Sequence, residues 1–246
     1  MVSTQKLRDS NSTIMNKQLS ELYESNWNQL CTAMKPIIEN EDLEAKPTNP
    51  LLIYFANEQD FISADIRVMI YGQETNSWHG EFSSDVKPIL NCYDSFFNRG
   101  ECWSYSGQFW NGVARFMTKI KEKFPDKKIE FVWNNIVKIG KLSKKGFPPD
   151  YIYEIERRHF HVIPQELKII KPNVVIFFTG PNYDGVIADN FGTLEYEAIS
   201  GFSERSLSRI KLKDVEFAFR TYHPNFLWRN DIDETYNSIL QEIKFS

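Results

Sequence analysis

The chain has 246 residues, of which 41% are hydrophobic and 25% charged, and carries a net charge of −4, so it has the length and apolar content for one sizeable core. Its three cysteines, Cys31, Cys92 and Cys102, form no CxxC pair and show no metal-ligand spacing, which speaks against structural zinc and against a four-cysteine iron–sulfur cluster. No stretch approaches the ~20 apolar residues of a membrane span, and Met1 to Glu24 has no apolar core of a signal peptide, so the expectation is a soluble, cytoplasmic monomer without metal or cofactor.

In chain order, residues 1–13 are polar and predicted disordered. Leu19, Leu22, Tyr23, Trp27, Leu30 and Met34 recur at steps of three and four, which predicts a helix over 14–40. With the charged, proline-ended connection 41–49 it makes an N-terminal helical extension over 14–50, followed at 50–58 by a short strand or turn. The run Ile66-Arg67-Val68-Met69-Ile70-Tyr71 reads as a strand ending in Gly72-Gln73-Glu74-Thr75-Asn76. Helices are predicted over 85–99 and 106–123, the second with Ser106 as its N-cap. A second strand, 129–133, ends in Asn134-Asn135. One helix over 150–170, kinked at Pro164, comes next. A third strand, 174–178, ends in Thr179-Gly180-Pro181-Asn182, and a fourth, 215–219, ends in Arg220-Thr221-Tyr222-His223-Pro224-Asn225. A last helix spans 233–245. Strands alternating with helices predict an α/β fold: three layers, α/β/α, around a central four-stranded, mainly parallel sheet, in a single domain over 14–246.

In such a sheet the strands deliver their C-terminal ends to one edge, where ligands bind. Glu74, Asn135 and His223 are therefore expected around one cleft, within ~12 Å, a span suited to a nucleobase and its sugar. Each alone has an ordinary role: a capping carboxylate, a turn asparagine, a loop histidine bonded to backbone. Their order along the chain is what joins them. The negative net charge is unlike that of a nucleic-acid binder. Positive charge is local, with nine Lys against Glu122, Asp126 and Glu130 between Lys119 and Lys145. This stretch is either a solvated helix face and loop or a phosphate-contacting rim beside the second strand's exit.

The ordered strand ends resemble those of the uracil-DNA glycosylase superfamily. That family runs a strand into a Gly-Gln-Asp-Pro-Tyr or Gly-Glu-Ala-Pro-Gly loop, ends a second in Asn with apolar residues and Lys after it, and ends the last in His-Pro-Ser-Pro-Leu. Here the matching stretches are Gly72-Gln73-Glu74-Thr75-Asn76, Asn135-Ile136-Val137-Lys138, Val175 to Gly180, and His223-Pro224-Asn225-Phe226-Leu227. The resemblance covers about Ile66 to Asn230, leaving 1–50 outside. It departs in three places. Proline is missing after Glu74, Asn76 stands where the most selective members carry a Tyr that excludes thymine, and His-Pro-Asn-Phe replaces His-Pro-Ser-Pro.

The resemblance implies a metal-independent enzyme that hydrolyses the N-glycosidic bond of a flipped, deaminated base in DNA. Glu74 would orient water and His223 would donate a hydrogen bond to the departing base. Asn135 would read the base edge, Gly72, Gln73 and Asn76 would line the first loop, and Trp78 or Phe82 would stack on the base. Leu227, helped by Phe226 or Trp228, would wedge into the stack. Two alternatives stand beside this: a catalytically silent module of the same fold that binds a nucleobase or nucleic acid, and an unrelated small-molecule hydrolase using Glu74 and His223.

Overall fold

The computed structural model describes residues 14–105 and 107–245. The disorder expected of 1–13 and the N-cap expected of Ser106 lie outside these residues. The chain divides into two compact units, and the division cuts two strands, between Gln73 and Glu74 and between Asn134 and Asn135. The first unit takes in 14–63, Glu74–Asn98 and Asn135–Ile170; the second takes in Ala64–Gln73, Arg99–Asn134 and 171–245.

The class is α/β, but the sheet has six strands where four were expected. They are β1 (Ile66–Asn76), β2 (Ile129–Lys141), β3 (Val174–Phe177), β4 (Tyr196–Ala198), β5 (Leu207–Ile210) and β6 (Phe217–Thr221), in the order β2-β1-β3-β6-β5-β4. β3 pairs in parallel with β1 (Val68 opposite Val174) and with β6 (Val174 opposite Phe217). β5 runs antiparallel to β6 and to β4, which makes the sheet mixed. β3 is wholly apolar and buried along its length, as a central parallel strand should be. β4 and β5 have three and four residues of mixed polarity, so they lack the apolar run that marks a strand in a sequence.

Two corrections concern strand ends. β1 does not stop at Tyr71 but runs on through Asn76, and β2 continues past Asn134-Asn135 to Lys141. Within the first unit the 47–51 segment lines the far half of β2, with Leu51 N donating to Lys138 O (3.0 Å) and Thr48 N to Gly140 O (3.1 Å). Backbone groups that would have needed a turn are thereby paired as strand. Gly140 belongs here because a Cβ on it would lie 2.0 Å from the Thr75 carbonyl oxygen.

In the second unit, α4 (Gln108–Lys123) packs on α9 (Ile232–Glu242) through rings: Phe116, Phe178 and Tyr236 lie 5.3–5.8 Å apart, centroid to centroid. The same unit holds α7 (Asp184–Phe191) and the one-turn α8 (Pro224–Leu227).

In the first unit, α1 (Ile14–Glu39) buries Met15, Leu19, Tyr23, Trp27, Leu30 and Met34. It packs against α5 (Asp150–His159) and α6 (Ile163–Ile170). These are two helices, not the one kinked helix expected, since Pro164 lies in the first turn of α6, where its missing N–H costs nothing. α2 (Glu58–Ile62) and α3 (Val86–Tyr93) complete the unit, α3 running into a π-helical turn, Asp94–Asn98. Of the short strand or turn expected at 50–58, the structure forms the turn, at Ala56-Asn57.

Candidate functional site

The second unit holds the exits of β3 and β6 beside the Ile66–Gln73 part of β1. Because β1, β3 and β6 are parallel, their C-terminal ends share one edge. Gln73 Nε2 donates to Thr179 O (2.7 Å) and Gly180 N to Thr221 O (2.9 Å), which ties the turn after β3 to Gln73 of β1 and to the end of β6. Gln73, a candidate substrate contact, thus uses one of its amide hydrogens to bind the turn after β3.

His223 follows β6 directly and is the N-cap of α8, whose first residue is Pro224. Asn225 N donates to His223 Nδ1 at 3.1 Å. The imidazole stacks on Phe109, centroids 5.3 Å apart and planes 28° apart, in the first turn of α4. Gly112 sets that approach: a Cβ there would lie 2.4 Å from Cβ of Pro224, so only glycine admits the contact. Tyr236 Oη donates to Gly112 O (3.2 Å) on the same helix.

Burial with no compensating charge pushes His223 down to about 4. It is neutral at ordinary pH. With Nδ1 accepting, the ring proton sits on Nε2, so the side chain is a neutral donor of one hydrogen bond. Such a donor suits an oxygen on which negative charge develops.

From Phe109 an aromatic cluster extends through Trp110. Trp110 meets Phe109 (5.2 Å), Trp103 (5.7 Å) and Trp133 (4.8 Å) edge to face. Tyr222 lies against Phe226 at 4.2 Å. Leu227, the candidate wedge, is 3% exposed, whereas Phe226 (43%) and Trp228 (37%) present their rings to solvent. Trp228 Nε1 donates to Gln108 O (3.1 Å), and the Arg115 guanidinium lies 5.6 Å from the Trp228 ring centroid. Behind His223, buried Arg220 on β6 makes a two-point ion pair with Asp184 (2.9 and 3.2 Å) and donates to Arg205 O (2.8 Å).

Gly72 is buried in the second unit's part of β1, and the remaining candidates belong to the first unit. Glu74 is half-buried and Asn76 exposed; by strand alternation they share one side of β1, with buried Thr75 on the other. Asn135 is buried in β2. Trp78 and Phe82 are buried too, Trp78 edge-on to Phe96 (5.4 Å) and Phe82 stacked on Trp27 (5.9 Å), so both rings pack inside this unit. Asn49, not anticipated from the sequence, pins their loop: its Nδ2 donates to His79 O (2.9 Å) and Glu81 O (2.8 Å), and its Oδ1 accepts from Ser83 N (2.8 Å) and Oγ (3.1 Å).

A charged cluster, also unanticipated, lies beside Asn135 in sequence. Lys138 Nζ meets Glu166 Oε1 at 2.7 Å with both side chains fully buried. Tyr23 Oη donates to the same oxygen (2.7 Å) and accepts from Ile53 N (3.0 Å). Glu156 accepts from two successive backbone amides, Lys138 N (2.9 Å) and Ile139 N (2.8 Å). Burial raises Glu156 to about 7 against the pull of those amides and of Lys138, and lowers Lys138 against the pull of Glu166. The sequence signal was a carboxylate on an apolar helix face: Glu156 four residues after Ile152, Glu166 three after Ile163.

The lysine-rich stretch is mostly spoken for. Lys119 bonds Asp233 (3.2 Å) and Asn237 (2.9 Å), Lys123 donates to Leu240 O, and Lys121 lies over Phe131. These three lie on α4, before β2 in the chain, and Lys121 meets Phe131 near the start of that strand. Among the described residues no group of three or more His, Cys, Asp or Glu is placed to hold a metal ion, and no helix is long and apolar enough to cross a membrane. Burial pushes the Cys102 thiol up to about 12, which makes it unreactive. No family model and no curated protein sequence matches the chain.

Proposed function

We propose that this protein is a base-excision enzyme of the uracil-DNA glycosylase type, hydrolysing the N-glycosidic bond of a flipped, deaminated base without a metal. The observation that carries the reading is His223: a neutral imidazole, tautomer fixed by Asn225 N–H, with Nε2–H as its one donor and Phe109 behind it. Cleavage leaves negative charge on the departing base, and a neutral donor stabilises it without surrendering its proton to solvent. Glu74 has the role of orienting water and steadying the sugar cation, and Asn135 that of reading the base edge. The exposed rings of Phe226 and Trp228, rather than buried Leu227, take the role of wedging into the stack as the base leaves.

A second reading is a module of the same fold that holds a nucleobase or a single-stranded end without cleaving it. The net charge of −4 favours it, because an enzyme that searches duplex DNA benefits from a basic footprint. One experiment separates the two. Uracil-containing single- and double-stranded oligonucleotides are incubated with the protein and treated with alkali. Strand breaks only after alkali mean base release. Binding without breaks favours the silent module. Neither leaves the resemblance to describe fold alone. If excision occurs, His223→Ala lowers its rate roughly 100-fold, the worth of one well-placed hydrogen bond to developing charge.

A further inference from the structure

Lys138 and Ile139 are neighbours in β2, and in a flat strand successive N–H groups point to opposite sides. Here both reach the one carboxylate of Glu156, at 2.9 and 2.8 Å, so the strand is locally turned out of the flat pattern. The carbonyl of Lys138 is taken by Leu51 N and its ammonium by Glu166. Lys138 is therefore held at its N–H, its carbonyl and its side chain. The hold reaches α5 through Glu156, α6 through Glu166, and α1 through Tyr23, which bonds both Glu166 and Ile53 N. Ion pairs this deep are a weak source of stability, since an apolar replacement of similar shape usually does as well. What a fully bonded buried cluster does supply is a single geometry. The candidate site residue on the same strand is Asn135, three residues upstream of Lys138 and itself buried.

We propose that Glu156, backed by the Tyr23–Glu166–Lys138 chain, is a positioning residue for Asn135, fixing the twist of β2 so that the Asn135 amide is held in one orientation. The role given to Asn135 rests on the functional reading above; the fixing of the strand does not. The helix α1, outside the region of resemblance, thereby becomes part of the site's support through Tyr23. Tyr23 lies in the N-terminal extension and Leu51 and Ile53 just after it, so the extension and the segment that follows close the cage around the end of β2.

The test uses the full chain, 15N-labelled, comparing wild type with Glu156→Gln, which keeps the side-chain volume but offers the two amides only one acceptor. In Glu156→Gln, exchange of the Lys138 and Ile139 amides speeds up about 10-fold or more, and the Asn135 side-chain NH2 resonances shift, while the Tyr236 and Phe178 region of the second unit is unchanged. Uracil titration, read by the same spectra, adds Asn135→Ala and the double variant. If Glu156 acts through Asn135, the double variant binds uracil no more weakly than Asn135→Ala alone. Additive losses would mean an ordinary structural role and overturn the proposal, as would unchanged exchange and unchanged Asn135 resonances. If wild type does not bind uracil, the functional reading fails, and the exchange and Asn135 signals alone decide the positioning. Should Glu156→Gln not fold, Tyr23→Phe removes only the far hydroxyl, and its effect on the Asn135 resonances, present or absent, decides in the same way.

Discussion

A histidine whose Nδ1 is already occupied has one thing left to offer. Asn225 N–H takes the lone pair of His223, and burial holds the ring neutral to about 4, so the usual titration near 6.5 is absent. Any activity or base binding that uses Nε2–H should therefore run level from pH 8 down through pH 6 and lose its histidine-dependent limb only near pH 4. A pH profile breaking at 6–7, together with a 13C-observed His223 titration in that range, would show that the imidazole is hydrated and not buried against Phe109. Asn49 stands at the same scale for a different reason. All four of its side-chain bonds go to the 79–83 loop, three with backbone groups and one with the Ser83 hydroxyl, two given and two received, so neither Asp nor Leu reproduces the set.

At the scale of elements, the position of His223 depends on how closely α4 meets α8. Gly112 leaves no room for a methyl, its Cβ position lying 2.4 Å from Cβ of Pro224 and 3.1 Å from Tyr236 Oη. In an exposed helix the change to alanine gains up to about 1 kcal/mol. Here overpacking outweighs that gain, so Gly112→Ala should cost about 1–3 kcal/mol in denaturant unfolding and disturb the His223 resonances. A neutral or stabilising result would mean the two helices stand further apart. The elements also show what could be read from the chain. The apolar runs of β1, β3 and β6 and the helix α1 were legible because burial leaves a period in the sequence. Glycine and asparagine were misread as stops in β1 and β2. Gly72 and Asn135 lie inside strands, and the Ile136-Val137-Lys138-Ile139 run was the signal that β2 goes on. The packing partner that makes this so, segment 47–51, is about ninety residues away in sequence, and no local pattern announces it. β4 and β5 were missed because Tyr-Glu-Ala and Leu-Ser-Arg-Ile carry too little apolar content. In the candidate site, His223 was legible by its place after a strand; its tautomer was not, since that depends on a backbone N–H two residues on.

At the scale of the molecule, buried Glu156 and half-buried His223 link folding to protons with opposite signs. Glu156 is raised from 4.5 to about 7, so its folded form holds the proton more tightly; the stability it gives is full below about 4.5 and is lost as pH rises through 7. The groups facing it are the Lys138 ammonium on β2 and Glu166 on α6, with Tyr23 of α1 bonded to Glu166. His223 is lowered from 6.5 to about 4, so its contribution is present above 6.5 and is lost as pH falls through 4. Between 4.5 and 6.5 the two slopes oppose each other, and the wild type should show a flattened profile there. Glu156→Gln should leave a stability that rises with pH across that window, and His223→Ala one that falls. Denaturant midpoints at five pH values for the three proteins check this; parallel curves would mean that neither group is buried in its ionisable form.

The two compact units are each assembled from three separated stretches of chain, with seams inside β1 and β2. The order of synthesis follows from that interleaving. The last stretch of the first unit ends at Ile170, so the ribosome has delivered all of its parts before β3 appears. The second unit must keep one edge of β1 waiting, since β3, its partner on that side, lies 106 residues downstream. Long-range pairing of this kind is slow to form and leaves apolar strands uncovered meanwhile. Ile66 to Tyr71 is thus the segment a nascent chain most needs shielded, and the one whose exposure would decide whether the protein is recovered soluble or lost to aggregation.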